Sequence, residues 1–191
     1  VNQLNYGITL ITEQTEAEEL AQLNLLACRK ARAANAYQTA REYTNIGLAL
    51  LGENAWSQQY ESTLEFYELG IELAALSDDF EVMEQLTEIV IANTRSLSEK
   101  MNVYRIEIQS YNGRNLGTEA IDIPKHFLEQ LGVSFREIPT QNDVQQALSE
   151  IEILMSDQEI EKLLDLPTMK DTAKIPIVKI ANSIMSATYL S

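Results

Sequence analysis

Apolar side chains recur at three- and four-residue steps along almost the whole chain, the spacing that gathers them on one face of an α-helix. Ala17, Leu20, Ala21, Leu25, Cys28 and Ala31, continuing to Arg32, predict one long helix. Thr15 and Glu18 ahead of it read as a capping box, the hydroxyl accepting from a first-turn N–H and the carboxylate reaching back. A second helix is predicted from about Ala36 to Leu51, carrying Tyr37, Ala40, Tyr43, Gly47 and Leu50, with Gly52 as its stop. A third, from Ser57 to Leu76, aligns Tyr60, Leu64, Tyr67, Ile71 and Ala74. Asp78 and Asp79 supply a turn and an N-cap for a fourth helix with Met83, Leu86, Val90 and Ala92. The fifth starts near Ser98, carries Met101, Tyr104, Ile108 and Tyr111, and breaks at Asn112-Gly113-Arg114-Asn115. The sixth holds Ala120, Ile123, Phe127 and Leu131 and ends at Gly132, with Pro124 expected to kink or shorten it.

After Pro139 the pattern shortens. Thr140 with Asp143 and Ser156 with Glu159 are two further caps, opening short helices through Leu148 and through Leu163-Leu164, the second stopped by Pro167. A last helix is expected near Asp171, with Pro176 confining its regular part to the residues that follow.

The helices repeat in pairs. Ala40, Met83 and Ala120 hold matching places in the second helix of each pair, 43 and 37 residues apart. Two-helix periods of roughly 34–47 residues mark an α-solenoid. A lone pair cannot cover its apolar face, so each packs on the next and the core runs along the array. The expected fold is therefore all-α: a tetratricopeptide-like α-α superhelix, a right-handed helical-repeat solenoid. Residues 1–135 form its three pairs, and residues 136–191 continue it with shorter, less regular helices. Ala31, Ala40 and Gly47 are expected to let the helices of a pair approach closely. Asp79-Phe80 sits where tetratricopeptide repeats favour an acidic–aromatic pair, whereas the repeat's first-helix Trp and terminal Pro are absent.

Composition narrows the function classes. Fourteen basic and 29 acidic residues leave a net charge of −15 over 191 residues. Such a surface repels phosphate backbones and anionic lipid, which disfavours nucleic-acid and membrane partners. Seven glycines and four prolines leave few tight turns for an all-β fold. One cysteine, Cys28, cannot close an internal disulfide or build a zinc site. No apolar run approaches a membrane span, and no basic leader precedes an apolar segment. A chain that starts on Val and stops at Ala187-Thr188-Tyr189-Leu190-Ser191 without a helix stop is expected to be a piece of a longer protein.

Motifs for phosphate cradling, metal hydrolysis, serine hydrolysis and kinase catalysis are absent from the sequence. His126 lacks an orienting carboxylate within Pro124-Lys125-His126-Phe127-Leu128. Cys28 lies on a small-residue face and reads as a structural thiol, although Arg29 and Lys30 beside it could lower its pKa. Glu18-Glu19 point about 100° apart on a helix and form no dyad, and Asp78-Asp79 read as turn and cap. Tyr60, Tyr67, Tyr104 and Tyr111 read as core stripes, and Trp56 as a packing anchor. No catalytic, cofactor-binding or metal-binding residue is assigned.

One surface goes beyond packing. In superhelical repeats the first helix of each pair lines the concave side. The first pair offers Gln22, Leu25, Arg29 and Arg32; the second Glu65, Glu68 and Glu72; the third Asn102, Arg105, Gln109 and Asn112. That sequence of basic, acidic and amide groups suits a groove for a peptide, a protein or a neighbouring domain of the same chain.

Two stretches, Glu18-Glu-Leu-Ala-Gln-Leu-Asn-Leu-Leu-Ala-Cys-Arg-Lys-Ala-Arg-Ala-Ala-Asn-Ala-Tyr37 and Gly47-Leu-Ala-Leu-Leu-Gly-Glu-Asn-Ala-Trp56, resemble the helical region of large cyanobacterial multi-sensor signal-transduction kinases. Asp79-Phe-Glu-Val-Met-Glu-Gln-Leu86, Leu128-Glu-Gln-Leu-Gly-Val133 and Pro139-Thr-Gln-Asn-Asp-Val-Gln-Gln-Ala-Leu148 look like the same region. The resemblance covers nearly the whole chain. In that family a serine/threonine kinase domain and a P-loop ATPase of the AAA type precede this tetratricopeptide-like arm, and a GAF sensor and a histidine kinase follow. The resemblance implies a non-catalytic, cytoplasmic protein-interaction and signal-relay arm of a two-component sensor type, with ATP binding confined to the parent's other domains. The alternative is a small-molecule sensor arm that regulates an adjacent signalling ATPase.

Overall fold

The computed structural model describes residues 1–114, 117–133, 139–156, 165, 167–171 and 174–190, with side chains at all of these except 117–120 and 184–190. Among them the regular structure is helical: α1 (Asn2–Tyr6), a 3-10 turn (Ile8–Leu10), α2 (Gln14–Ala33), α3 (Tyr37–Leu51), α4 (Ala55–Gln58), α5 (Tyr60–Leu76), α6 (Phe80–Asn93), α7 (Leu97–Gly113), α8 (Gly117–Gln130), α9 (Gln141–Met155) and α10 (Lys174–Leu190).

Consecutive helices pack as pairs, α2 on α3, α5 on α6 and α7 on α8. The pairs join through their first helices, α2 to α5 to α7, and through α3 on α5 and α6 on α7. α10 closes the far end against α7 and α8. The core follows that order as three clusters. Ala21, Leu25, Cys28, Ala40, Phe66 and Leu73 fill the first. Tyr60, Leu64, Ile71, Met83, Val90 and Val103 fill the second. Met101, Tyr104, Ile108, Phe127, Leu128 and Ile180 fill the third. Together these elements make an all-α helical bundle in which each pair covers the apolar face of its neighbour.

The turns of the first two pairs are built alike. Asn35 and Asp78, 43 residues apart, both take φ 57°, a left-handed conformation that Asn and Asp tolerate better than most side chains. After each, an N–H reaches back to a carbonyl of the last helical turn: Ala36 to Ala31 and Asp79 to Ala74, both 2.9 Å. These bonds satisfy carbonyls that a helix end would otherwise strand. Asp79 occupies the N-cap position of α6 without a side-chain cap bond. Its carboxylate instead accepts from Arg41 Nη2 at 2.6 Å, which ties the turn of one pair to α3 of the previous one.

Several local expectations are corrected. The Thr15–Glu18 box does not form: α2 starts two residues earlier, at Gln14 with Glu13 as its N-cap, and Glu18 accepts from the Gln14 amide at 3.2 Å. The third predicted helix is two, because Gln59, at φ −130° and ψ 47°, separates α4 from α5. α8 runs through Pro124 to Gln130. Pro176 is the third residue of α10, in the first turn, where a missing N–H costs no helical bond. α9 extends past Leu148 to Met155, opened by the expected Thr140–Asp143 box. The side chain of Ala120, the Glu159 cap, the helix at Leu163-Leu164 and residue Asn115 lie outside the described residues.

Gly47 serves a different contact from the one expected. It faces Phe66 of α5, in the next pair, rather than the partner helix α2. Ala40 and Ala31 do pack in the α2–α3 cluster. Trp56 anchors the start of the second pair, 5.1 Å from the Tyr67 ring and 5.7 Å from that of Tyr60.

Candidate protein-docking face

α2, α5 and α7 lie side by side, and all but one of the residues expected to line a groove lie on or beside one surface. Most of them bind one another across it. Gln22 Nε2 donates to Ser62 Oγ at 2.5 Å. Arg29 pairs with Glu65 and Arg32 with Glu72, linking α2 to α5. Asn102 Nδ2 donates to Glu68 Oε1 at 3.3 Å, linking α5 to α7. The basic, acidic and amide rows are thus a ladder between successive first helices. Exposed pairs of this kind contribute about 0–1 kcal/mol each, so the ladder sets register more than it adds stability. Burial raises the Glu68 carboxyl above its ordinary pKa, and the Asn102 hydrogen bond opposes that rise.

Leu25 does not belong to this surface. It is 3% exposed and packs in the first core cluster. On α2 it falls between Arg29 and Arg32 in angle about the axis; its short apolar side chain packs inward while the two long arginines reach Glu65 and Glu72 at the surface. Leu26, next to it in sequence, is exposed instead.

Beyond the ladder the face opens into two clefts. The smaller, about 240 Å³, lies between α5 and α7 over Glu68, Leu69, Asn102 and Ile106. The larger, about 430 Å³, has an apolar floor of Ala75, Leu76, Phe80 and Ile106 and carries Arg32, Arg105 and Arg114 on its walls. Arg105 borders both clefts, and its Nη1 is 3.5 Å from Gln109 Oε1. Arg114 lies over the Phe80 ring at 3.9 Å, a cation–π contact. Asn112 is half-buried at the end of α7.

Two polar clusters outside the groove carry no clear signal in the chain's periodicity. Glu107 is 7% exposed on α7, a residue type seldom buried without a partner. Burial, with the charges of Glu84 and Glu88 on α6, raises its pKa to about 7. Tyr111 beside it donates to Glu84 Oε1 at 2.8 Å. The second cluster lies where α7 begins, and Ser96-Leu97-Ser98-Glu99 could have revealed it. Ser96 and Glu99 form a full capping box, and Glu99 Oε2 also accepts from Tyr60 Oη at 2.8 Å and Arg95 N at 2.8 Å. The Arg95 guanidinium covers the Tyr60 ring at 3.6 Å.

Cys28 is fully buried, Sγ 3.2 Å from Thr44 Oγ1, and desolvation raises its pKa despite the nearby arginines. His126 is exposed, its Nε2 3.2 Å from the Gln130 amide nitrogen. Among the described residues, no group of three or more His, Cys, Asp or Glu could hold a metal ion. Among them, too, no helix is long and apolar enough to cross a membrane.

No protein-family model matches the chain, and no solved structure matches it. Among curated proteins it is similar to hybrid signal transduction histidine kinase G of Dictyostelium discoideum, 24% identical over 142 residues. The match covers 70% of this chain and 4% of that protein, so the chain spans a small fraction of its relative's length. The chain thus has a weak, partial homology to a signal-transduction protein of the histidine-kinase type.

Proposed function

We propose that this chain is a tetratricopeptide-like, right-handed superhelical arm that docks protein and relays a signal within a multidomain signalling kinase. On this reading residues 1–135 form the repeat array and residues 136–191 continue it. The arm itself is non-catalytic and cytoplasmic, and the parent resembles the cyanobacterial multi-sensor serine/threonine kinases with AAA-type ATPase, GAF and histidine kinase domains. The observation that carries the reading is the continuous face of α2, α5 and α7, where two clefts share Arg105 and expose apolar floor beside charge. The histidine-kinase relative supports the signalling context. A docked segment would bias the neighbouring ATPase or kinase by binding one of its states more tightly than the other.

The docking group on this reading is the Arg105–Arg114 end of the face, since Arg29 and Arg32 already serve Glu65 and Glu72. The test is calorimetric titration of the chain with the parent's adjacent domains. R105E/R114E should lose binding while circular dichroism stays helical, and Arg114→Lys, which keeps the charge, should retain binding. Full binding by the double variant would remove the face from consideration. The small-molecule alternative calls for an apolar pocket with a few polar groups and a ligand-dependent melting temperature, which a thermal-shift screen tests.

A further inference from the structure

α9 has an apolar face that no other described helix packs against extensively. Val144, Leu148, Ile151 and Met155 follow one another at four, three and four residues, and Leu154 widens the stripe. Their exposure is high: 49% at Val144, 55% at Leu148, 56% at Ile151 and 75% at Leu154. The five fall within an arc of about 120° around the helix axis, with Glu152 just outside one edge and Asp143 and Glu150 just outside the other, a pattern suited to the seam of a helix–helix contact. Stripes of this kind on otherwise polar helices mark interaction surfaces. The helix is also poorly supported alone. Its start is fixed by the Thr140–Asp143 box, but its last turn carries no basic residue, and fifteen-residue helices are marginal without a partner.

Charge decides which partner fits. Residues 139–156 contain Asp143, Glu150 and Glu152 and no Lys or Arg. Two copies of α9 side by side would align these acidic flanks, which disfavours self-pairing. The chain's own apolar groove is no better suited. Leu4, Ile11, Leu20 and Leu23 line a hollow of about 330 Å³ between α1 and α2, but Glu16 and Glu19 rim it. Anionic lipid meets the same objection. We infer that α9 is a docking helix for an amphipathic helix of a different protein or domain, one whose apolar stripe is flanked by Lys or Arg. This surface is separate from the α2–α5–α7 face, and its test does not depend on that face.

The probe is a synthetic three-heptad peptide with Val at a, Leu at d and Lys at the flanking positions, titrated into the whole chain by fluorescence anisotropy. A second peptide carries Glu in place of Lys. The Lys peptide should bind at least about tenfold more tightly than the Glu peptide, and less tightly as salt rises. Leu148→Glu with Ile151→Glu should abolish binding while circular dichroism and melting temperature stay unchanged, since both residues are exposed. Glu150→Lys with Glu152→Lys should reverse the preference between the peptides. Absent binding of the Lys peptide, or equal binding of both, would overturn the inference. So would wild-type self-association in sedimentation that the Leu148→Glu, Ile151→Glu variant dissolves, because the occupant would then be a second copy.

Discussion

The ring of Phe66 fills the space that a side chain at residue 47 would occupy. A methyl group on Gly47 would overlap Cζ, Cε1 and Cε2 of that ring, and Phe66 is fully buried with no open direction to swing. Gly47 thus lets the Phe66 ring of α5, in the next pair, sit directly against the α3 backbone.

Gly47→Ala should destabilise the chain. Alanine gains about 1 kcal/mol of helix propensity over glycine, but overpacking of a filled core costs about 1–3 kcal/mol. With a rigid ring in the way, the upper part of that range applies and the melting temperature falls by several degrees. Phe66→Leu in the same background should recover part of the loss. Thermal denaturation of the three variants checks both outcomes.

Glu107 should make stability decline as pH rises. Its folded pKa, about 7, lies above the ordinary 4.5, so between those values the native state keeps a proton that the unfolded chain has released. The stability that proton carries is complete below about pH 4.5 and gone above about pH 7, a change of roughly 3 kcal/mol. Glu107→Gln holds a neutral group at all pH. The variant should melt higher than wild type at about pH 8 and alike near pH 4, as read from paired melts across that range.

Tyr60→Phe should act in the opposite pH direction. Burial raises the Glu99 carboxyl, but hydrogen bonds from Tyr60 and from the Arg95 and Ser96 amides outweigh it and hold the pKa below the ordinary value. That contribution is present above the unfolded pKa and is lost as pH falls through the folded one. Removing the Tyr60 hydroxyl should cost about 1–2 kcal/mol at neutral pH. The difference from wild type should shrink in acid, as followed by urea denaturation at neutral and acidic pH.

Cys28 should resist thiol reagents in the native state. Its thiol is fully buried and its pKa raised, and the thiolate is the reactive form. Labelling should proceed at the rate of an exposed thiol in denaturant and far more slowly in buffer. Native labelling at the denatured rate would contradict the packing of α2 on α3.

Local signals were legible where one residue type meets one backbone need. Tyr60, Tyr104 and Tyr111 in the core, Gly52 after α3 and the Thr140–Asp143 box appear where the chain's pattern put them, and Tyr67 is half-buried against the second cluster. Thr15–Glu18 carries the same motif and fails, because the helix found its start at Glu13 and Gln14 took the carboxylate. Ser96–Glu99 carries it and succeeds, with Tyr60, remote in sequence, adding a further bond. The motif is local, but its outcome depends on who else can reach the acid.

The long helices between Ala17 and Leu131, the turn at Asp78-Asp79 and the placement of Cys28 on a packed face were legible in the chain alone. Helical period, turn chemistry and burial preference are properties of neighbouring residues. Which charges meet was decided only in three dimensions. Arg29 and Glu65 lie 36 residues apart, and Arg41 and Asp79 lie 38 apart, so only the packing of one pair on the next could bring them together. The same packing turned Leu25 inward, aimed Gly47 at Phe66 and left the stripe of α9 uncovered, because a helix presents its whole circumference and only its neighbours select the faces that are filled.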